Sequence, residues 1–416
     1  MPAAHAQTTQ PSEAKSTQRD HLIHIVRGLA IWGVITAHLL VNHIGFDGIS
    51  GKAESMSYEW TNWFFIWAVP WFVLSGGAVS YWSMKRLLAR TEPGRERRRA
   101  IWDFMWRRLQ RMLIPYFAYA VIMSAVEILL GTAGFKACEA FGLKQALTWI
   151  IPFPHQDCLV YSRWPFWFLM IYIPVALATP LLAWIFDKRW GPWLLILGPA
   201  LVIFFNDRSV FNGLQYLDVN DPQALAPVLT PTVMLQFVAN MYLGFVAFFA
   251  VGFLYAKGVL RDRRRLCLAG GATMMAATLL LMVVGPYTHN QQQFPIQGGY
   301  LLWGIGTFLV LVAARPQVED LWRLKGVRPA IDWLSVNSYT IYIWHFTAIL
   351  ALWWTIYFLG LRDGLYGLPV WVQHLTLYAL VWVYLIPLIA ATRRFETWSF
   401  PPKWWKRRRS GIAQGG

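Results

Sequence analysis

Cysteine is scarce in this chain. The three in 416 residues, Cys138, Cys158 and Cys267, show no CxxC or other metal-ligand spacing. A zinc or iron–sulfur centre built on cysteine is therefore excluded. The nine histidines do not replace it, since His21, His24, His155, His289 and His374 form no constellation that argues for a metal. Acidic residues are also few, with 21 Asp and Glu against 37 Lys and Arg, a formal net charge of +16. Such a balance suits nucleic acid or anionic lipid. A nucleic-acid partner is excluded because no folded soluble domain is left to carry it: the longest outer segments, 132–165 and 207–232, are too short for a separate domain. Residues 1–21 are rich in Gln, Thr, Ser and Ala and lack an apolar core. They read as a disordered cytoplasmic tail rather than a signal peptide.

What is abundant is apolar. Hydrophobic residues make up 56% of the chain before glycine is counted, with 25 Trp and 26 Phe. Soluble domains hold about 45–50% with glycine included. Ten apolar segments can be drawn, at 23–44, 60–83, 109–132, 166–186, 191–206, 233–256, 266–285, 298–314, 338–358 and 369–392. Most approach the ~20 residues of a spanning helix, and 191–206 and 298–314 are short enough to be re-entrant. With the N-terminus inside, six basic residues fall in outer loops: Lys52, Lys136, Lys144, Arg163, Arg208 and Arg362. One more, Arg27, lies within a span, which leaves 30 of the 37 Lys and Arg on the inner side. The expectation is an all-α, polytopic helical bundle with about ten transmembrane helices and both termini cytoplasmic. Residues 22–396 form the membrane domain and 397–416 a basic cytoplasmic tail. Basic runs such as Arg97–Arg99 and Arg263–Arg265 are topology signals and contacts to membrane lipids. Cys138 and Cys158 share one outer loop, either paired or as two free thiols.

The first apolar segment carries the sharpest signal. Arg27 and His38 stand within it, and ionisable groups in a bilayer cost at least ~2.5–3.5 kcal/mol each, so they mark function by default. Eleven residues turn a helix through about 1100°, which places the two within roughly 20° of one face and about 16 Å apart along the axis. One polar stripe would run from the membrane edge toward its outer half.

Several stretches then line up with one family. Val26-Arg27-Gly28-Leu29-Ala30-Ile31 followed by His38 resembles the opening helix of membrane acyltransferase family 3. Trp71-Phe72-Val73-Leu74-Ser75-Gly76 resembles its second helix, and Arg107-Arg108-Leu109-Gln110-Arg111 through Pro115-Tyr116 its entry into the third. Trp167-Phe168-Leu169 with Pro180, Tyr242 to Gly252, Asn337 to His345, and Arg394-Phe395-Glu396 are similar to later motifs of the family, in the same order. Three positions depart from the pattern. His24 stands where the family often has Asp, Gly77 follows Ser-Gly in place of Phe, and Thr397-Trp398 follow Glu396 in place of Arg-Pro.

The resemblance implies transfer of an acyl group, acetyl or succinyl, from cytoplasmic acyl-CoA to a hydroxyl of a cell-envelope glycan or lipid-linked sugar. It implies a multi-pass protein of the cell (inner) membrane that uses acyl-CoA as co-substrate and binds no other cofactor. An alcohol needs a base to attack a thioester, and histidine, with an unperturbed pKa of about 6.5, suits that task. His38 is the candidate base, with or without an acyl-histidine intermediate. Arg27 either binds a CoA phosphate or pairs with a carboxylate. Arg107, Arg108 and Arg111 form a cationic cluster whose guanidinium forks suit CoA phosphates. Ser338, Tyr342 and His345 share a helix face and with Tyr339 form a polar patch that lines the donor path, orients His38, or ties helices together. Ser75 begins a run of small residues fit for an acyl channel or for close packing. Glu396 is placed to pair with Arg27 or the third-helix arginines. Trp60, Trp63, Trp164 and His43 lie toward the outer face, where they would meet the acceptor or, for the tryptophans, sit in the interfacial belt. The alternative reading is a transporter or flippase of an anionic or lipid-linked solute, with Arg27 and His38 as relay groups. No inverted repeat or pair of broken helices is evident in support of it.

Overall fold

Each of the ten apolar segments coincides with helix in the computed structural model, which describes residues 20–41, 67–134, 138, 142–150, 164–214, 231–284 and 297–398. The main helices are α1 (His21–Val41), α2 (Ala68–Ala89), α3 (Arg95–Thr132), α4 (Trp167–Leu177) and α5 (Thr179–Phe186). They continue with α6 (Gly198–Leu214), α7 (Pro231–Ala256), α8 (Arg264–Val284) and α9 (Gly298–Ala313). The chain closes with α10 (Arg315–Arg323), α11 (Val327–Val336), α12 (Ser338–Phe358) and α13 (Val370–Thr392). No strand occurs among the described residues. Large apolar side chains are exposed along α3 (Val121, Leu129) and α13 (Trp371, Leu375, Val383), as expected where lipid rather than water is the neighbour.

Among the described residues, five helices are long and apolar enough to cross a membrane, and up to seven if two bent pairs are each one span, against the ten expected. The bent pairs are α4 with α5, at 58°, and α9 with α10, at 70°. Each second helix restarts on a proline in its first turn, Pro180 and Pro316, where the missing N–H costs nothing. Composition explains two of the shortfalls. Ser75, Gly76, Gly77, Ser80 and Ser83 dilute α2 before it reaches Lys85 and Arg86, and α8 opens on two arginines and carries Gly270-Gly271. The short segment at 191–206 is seen as the apolar stretch Trp193–Asn206. Cys138 is disulfide-bonded to a partner outside the described residues, and Cys267 is a free, buried thiol.

Small residues set the tightest crossings. A Cβ on Gly77 would strike the Phe249 carbonyl oxygen, and one on Gly252 would lie 2.8 Å from the Ala78 nitrogen, so α2 and α7 approach backbone to backbone. Gly271 and Gly306 do the same for α8 and α9, with a Gly271 Cβ 2.7 Å from the Gly306 carbonyl oxygen. Against this frame α1 packs on α2, α11 and α12, with further contacts to α10 and α13. The helix that carries Arg27 and His38 is thus held on several sides. Forced overpacking costs about 1–3 kcal/mol. Gly252→Val is expected to lower the unfolding midpoint in detergent by several degrees, whereas Gly364→Ala, with nothing within 4 Å of its added Cβ, should leave it unchanged.

Candidate functional site

Near the N-terminal end of α1, a cavity of about 530 Å³ is lined by Arg27, Arg107, Arg108 and Arg111 together with Tyr339 and Glu396. Four guanidiniums therefore face one carboxylate. The third-helix arginines and Arg27 come together here, although they lie 80 or more residues apart in the chain. Arg27 is partly buried with its guanidinium over the Phe72 ring at 5.9 Å, and no carboxylate lies within ion-pair distance among the described residues. Arg108 donates to the Ser80 hydroxyl, which in turn donates to the Gly76 carbonyl.

Glu396 lines the same cavity without a direct ion pair, so the structural pairing expected for it is not formed. Its Oε1 accepts from the Thr340 backbone N–H at 2.7 Å and from the Thr340 hydroxyl. The first turn of α12 has unsatisfied N–H groups and a positive dipole end, and a carboxylate there supplies both an acceptor and a complementary charge. The nearby guanidiniums are left facing open space.

The small-residue run divides its roles. Ser75 is buried and donates to the Phe72 carbonyl at 2.8 Å within its own helix, so it does not line the cavity. Gly76 does line it, and a Cβ there would collide with the Tyr172 hydroxyl, whose ring forms part of the same wall. Gly77 belongs to packing.

Deeper along α1, His38 meets α12. The His38 and His345 rings are 5.1 Å apart, edge to face, and both contact Phe346. His345 is fully buried, and its Nδ1 lies 2.6 Å from the Tyr342 carbonyl oxygen. A carbonyl only accepts, so Nδ1 carries the proton and Nε2 keeps a lone pair. That Nε2 and the Nδ1 of His38 are buried with no hydrogen-bond partner among the described residues. Buried polar atoms are seldom left so, and two at one contact mark a place built for something else.

A ladder of rings joins the two regions. Tyr339, on the cavity wall, stacks on Tyr342 at 6.1 Å; Tyr342 lies 6.0 Å from His345, and His345 meets His38. Hydrogen bonds fix each tyrosine from its far end: Tyr339 donates to the Met112 carbonyl and Tyr342 to the Pro165 carbonyl. Tyr342 thus positions His345 through its carbonyl rather than lining the cavity. Ser338 is fully buried with its hydroxyl unpartnered among the described residues, and it too lies off the cavity wall. Tyr339, expected in the polar patch of α12, does line the cavity, whereas Tyr172 and Phe72 are wall residues given no role from sequence, because aromatics in an apolar helix carry no pattern that separates lining from core. Trp60, Trp63 and His43 lie outside the described residues, as does the side chain of Trp164, whose backbone opens a short 3-10 turn.

The sequence model of an acyltransferase domain, that of acyltransferase family 3, matches residues 20–394. No curated protein and no solved structure matches the chain.

Hydrogen bonds to a charged group contribute about 1.5–3 kcal/mol. Glu396→Ala is expected to destabilise the protein by about that amount in thermal unfolding. Glu396→Gln, which keeps an acceptor for the Thr340 N–H, should lose roughly half as much.

Proposed function

The chain belongs to membrane acyltransferase family 3, and from that premise we propose that it moves an acyl group, acetyl or succinyl, from acyl-CoA to a hydroxyl of a cell-envelope glycan or lipid-linked sugar. Acyl-CoA approaches from the end of the bundle that carries the arginines, which we assign to the cytoplasm. The excess of Lys and Arg on that side supports the orientation. So does the disulfide at Cys138, beyond the far end of α3, since disulfides persist in oxidising compartments.

The observation that carries the reading is the ladder from the arginine-lined cavity to the histidine pair. Arg27, Arg107, Arg108 and Arg111 offer guanidinium forks for a diphosphate. The pantetheine arm then follows α1, where Arg27 and His38 are about 16 Å apart by helical rise. At the far end the acceptor hydroxyl oxygen attacks the thioester carbonyl carbon as His38 takes its proton. The carbon–sulfur bond breaks, and the CoA thiolate leaves and recovers a proton, giving an ester and free CoA. His345, held by the Tyr342 carbonyl, presents a lone pair beside His38 and orients it. The acceptor enters from the opposite face.

General-base catalysis contributes about 10²–10⁴-fold. With purified protein and a crude glycan acceptor, His38→Ala should reduce CoA release from acetyl-CoA or succinyl-CoA by that factor while the unfolding midpoint holds. Arg111→Ala should leave kcat near wild type and raise KM for the acyl donor about tenfold or more, as expected for one lost charge-assisted hydrogen bond. Transport of an anionic solute with no CoA release from either donor would replace the enzyme reading with the transporter one.

A further inference from the structure

A second and larger cavity, of about 1120 Å³, opens at the same end of the bundle and shares Arg27 and Val79 with the first. It is enclosed by the start of α1, the last turns of α2, the turn between α7 and α8, and the α10–α11 corner. Its lining includes six arginines, Arg27, Arg86, Arg261, Arg315, Arg323 and Arg328.

Carboxylates answer four of them. Asp20 lies 2.9 Å from Arg261 and also accepts from the Tyr255 hydroxyl, and Glu319 lies 2.7 Å from Arg315. Asp320 lies 3.3 Å from Arg323, and Asp332 lies 3.7 Å from Arg328. Arg86 and Arg27 have no such partner among the described residues. Arg86, with Arg27 at the shared wall, offers positive charge to a phosphate monoester, which carries about −1.5 to −2 at neutral pH. Arg27 lines both chambers, so one ligand with two separated anionic groups would engage both.

Resting on the acyl-CoA reading above, we propose that the larger chamber receives the 3′-phosphoadenosine end of the donor while the diphosphate lies against Arg107, Arg108 and Arg111. Discrimination between acyl-CoA and acyl-3′-dephospho-CoA then resides at Arg86. The third-helix arginines serve both donors alike. Arg86 sits exposed in the last turn of α2, so its replacement leaves the packed core intact.

The test uses the full chain in detergent with acetyl-CoA and acetyl-3′-dephospho-CoA. The wild type should show a KM at least tenfold lower for acetyl-CoA. Arg86→Ala should raise the KM for acetyl-CoA alone until the two donors are alike, and Arg86→Lys should restore part of the difference. Arg111→Ala should raise both KM values by a similar factor. An unchanged donor preference in Arg86→Ala would overturn the proposal. Calorimetric binding of adenosine 3′,5′-bisphosphate against adenosine 5′-monophosphate needs no turnover. Tighter binding of the bisphosphate, lost in Arg86→Ala, supports the pocket even if neither thioester is consumed, in which case the donor reading is what fails. Arg86-dependent binding of soluble dihexanoyl phosphatidate with none of the bisphosphate would make the chamber a lipid-headgroup site and overturn the assignment.

Discussion

The cost of placing a guanidinium inside an apolar bundle organises this molecule. Arg27 sits on a helix whose neighbouring side chains Val26, Ala30 and Ile31 are fully packed, and no carboxylate lies within ion-pair distance of it among the described residues. A charge in that position persists only where water or a ligand reaches it. Two cavities meet at its side chain, one on each side of the α1–α2 contact. Much of the architecture keeps those spaces open. The Glu396 carboxylate, the nearest available neutraliser, is held by the first turn of α12. Ser80 restrains Arg108, and Gly76 leaves room that any side chain would fill against Tyr172.

The same economy appears in the glycine pair of α2. Gly76 and Gly77 are adjacent and so point about 100° apart on the helix. One faces the cavity and the other the α7 backbone. A helix must approach α7 closely to bring its other face round to α1, so the packing role of Gly77 is a condition for the open role of Gly76. The family pattern has a bulky Phe where Gly77 stands, and here the space is taken by the Phe249 backbone instead.

Much of this was legible in the chain. The described part of each of the ten apolar segments is helical, and Ile23–Ile44 anticipated α1 at His21–Val41. The face shared by Arg27 and His38 followed from helical pitch alone. Arg107, Arg108 and Arg111 stand out in the sequence as one cluster, and only the fold shows that Arg27 lines the same cavity. What composition could not show was which helices stop or bend. The break at Ala178 depends on a proline restart inside an otherwise apolar run, whereas that at Ala314 falls where the apolar segment ends. The larger chamber was invisible for a different reason. Arg86, Arg261 and the group of Arg315, Arg323 and Arg328 stand in three separate inner segments, and each satisfies the charge bias of membrane topology by itself. Only the folding of α10 and α11 back beside α1 turns topology signals into one wall. His24 shows the converse. At a position where the family often carries Asp, it lies 3.3 Å from the Ser335 hydroxyl and 4.0 Å from Asp332, so α11 supplies a carboxylate at the place where the sequence had seemed to lose one.

The histidine pair follows from the same logic at the other end of the stripe. A lone buried imidazole can satisfy both nitrogens with carbonyl and hydroxyl neighbours, and most do. Here the Tyr342 carbonyl consumes one nitrogen of His345 and fixes its tautomer, while its Nε2 and the Nδ1 of His38 are left without a protein partner among the described residues. Two rings at 5.1 Å would disfavour one another if both were charged, so a proton taken by one ring is held singly and must move on. A purely structural pair would gain more by bonding directly or to a hydroxyl, as Tyr119 does with Thr347, two residues further along α12. An arrangement that forgoes those bonds and keeps a bare lone pair at the end of a fixed tyrosine ladder is the one that the proton transfer proposed for His38 requires.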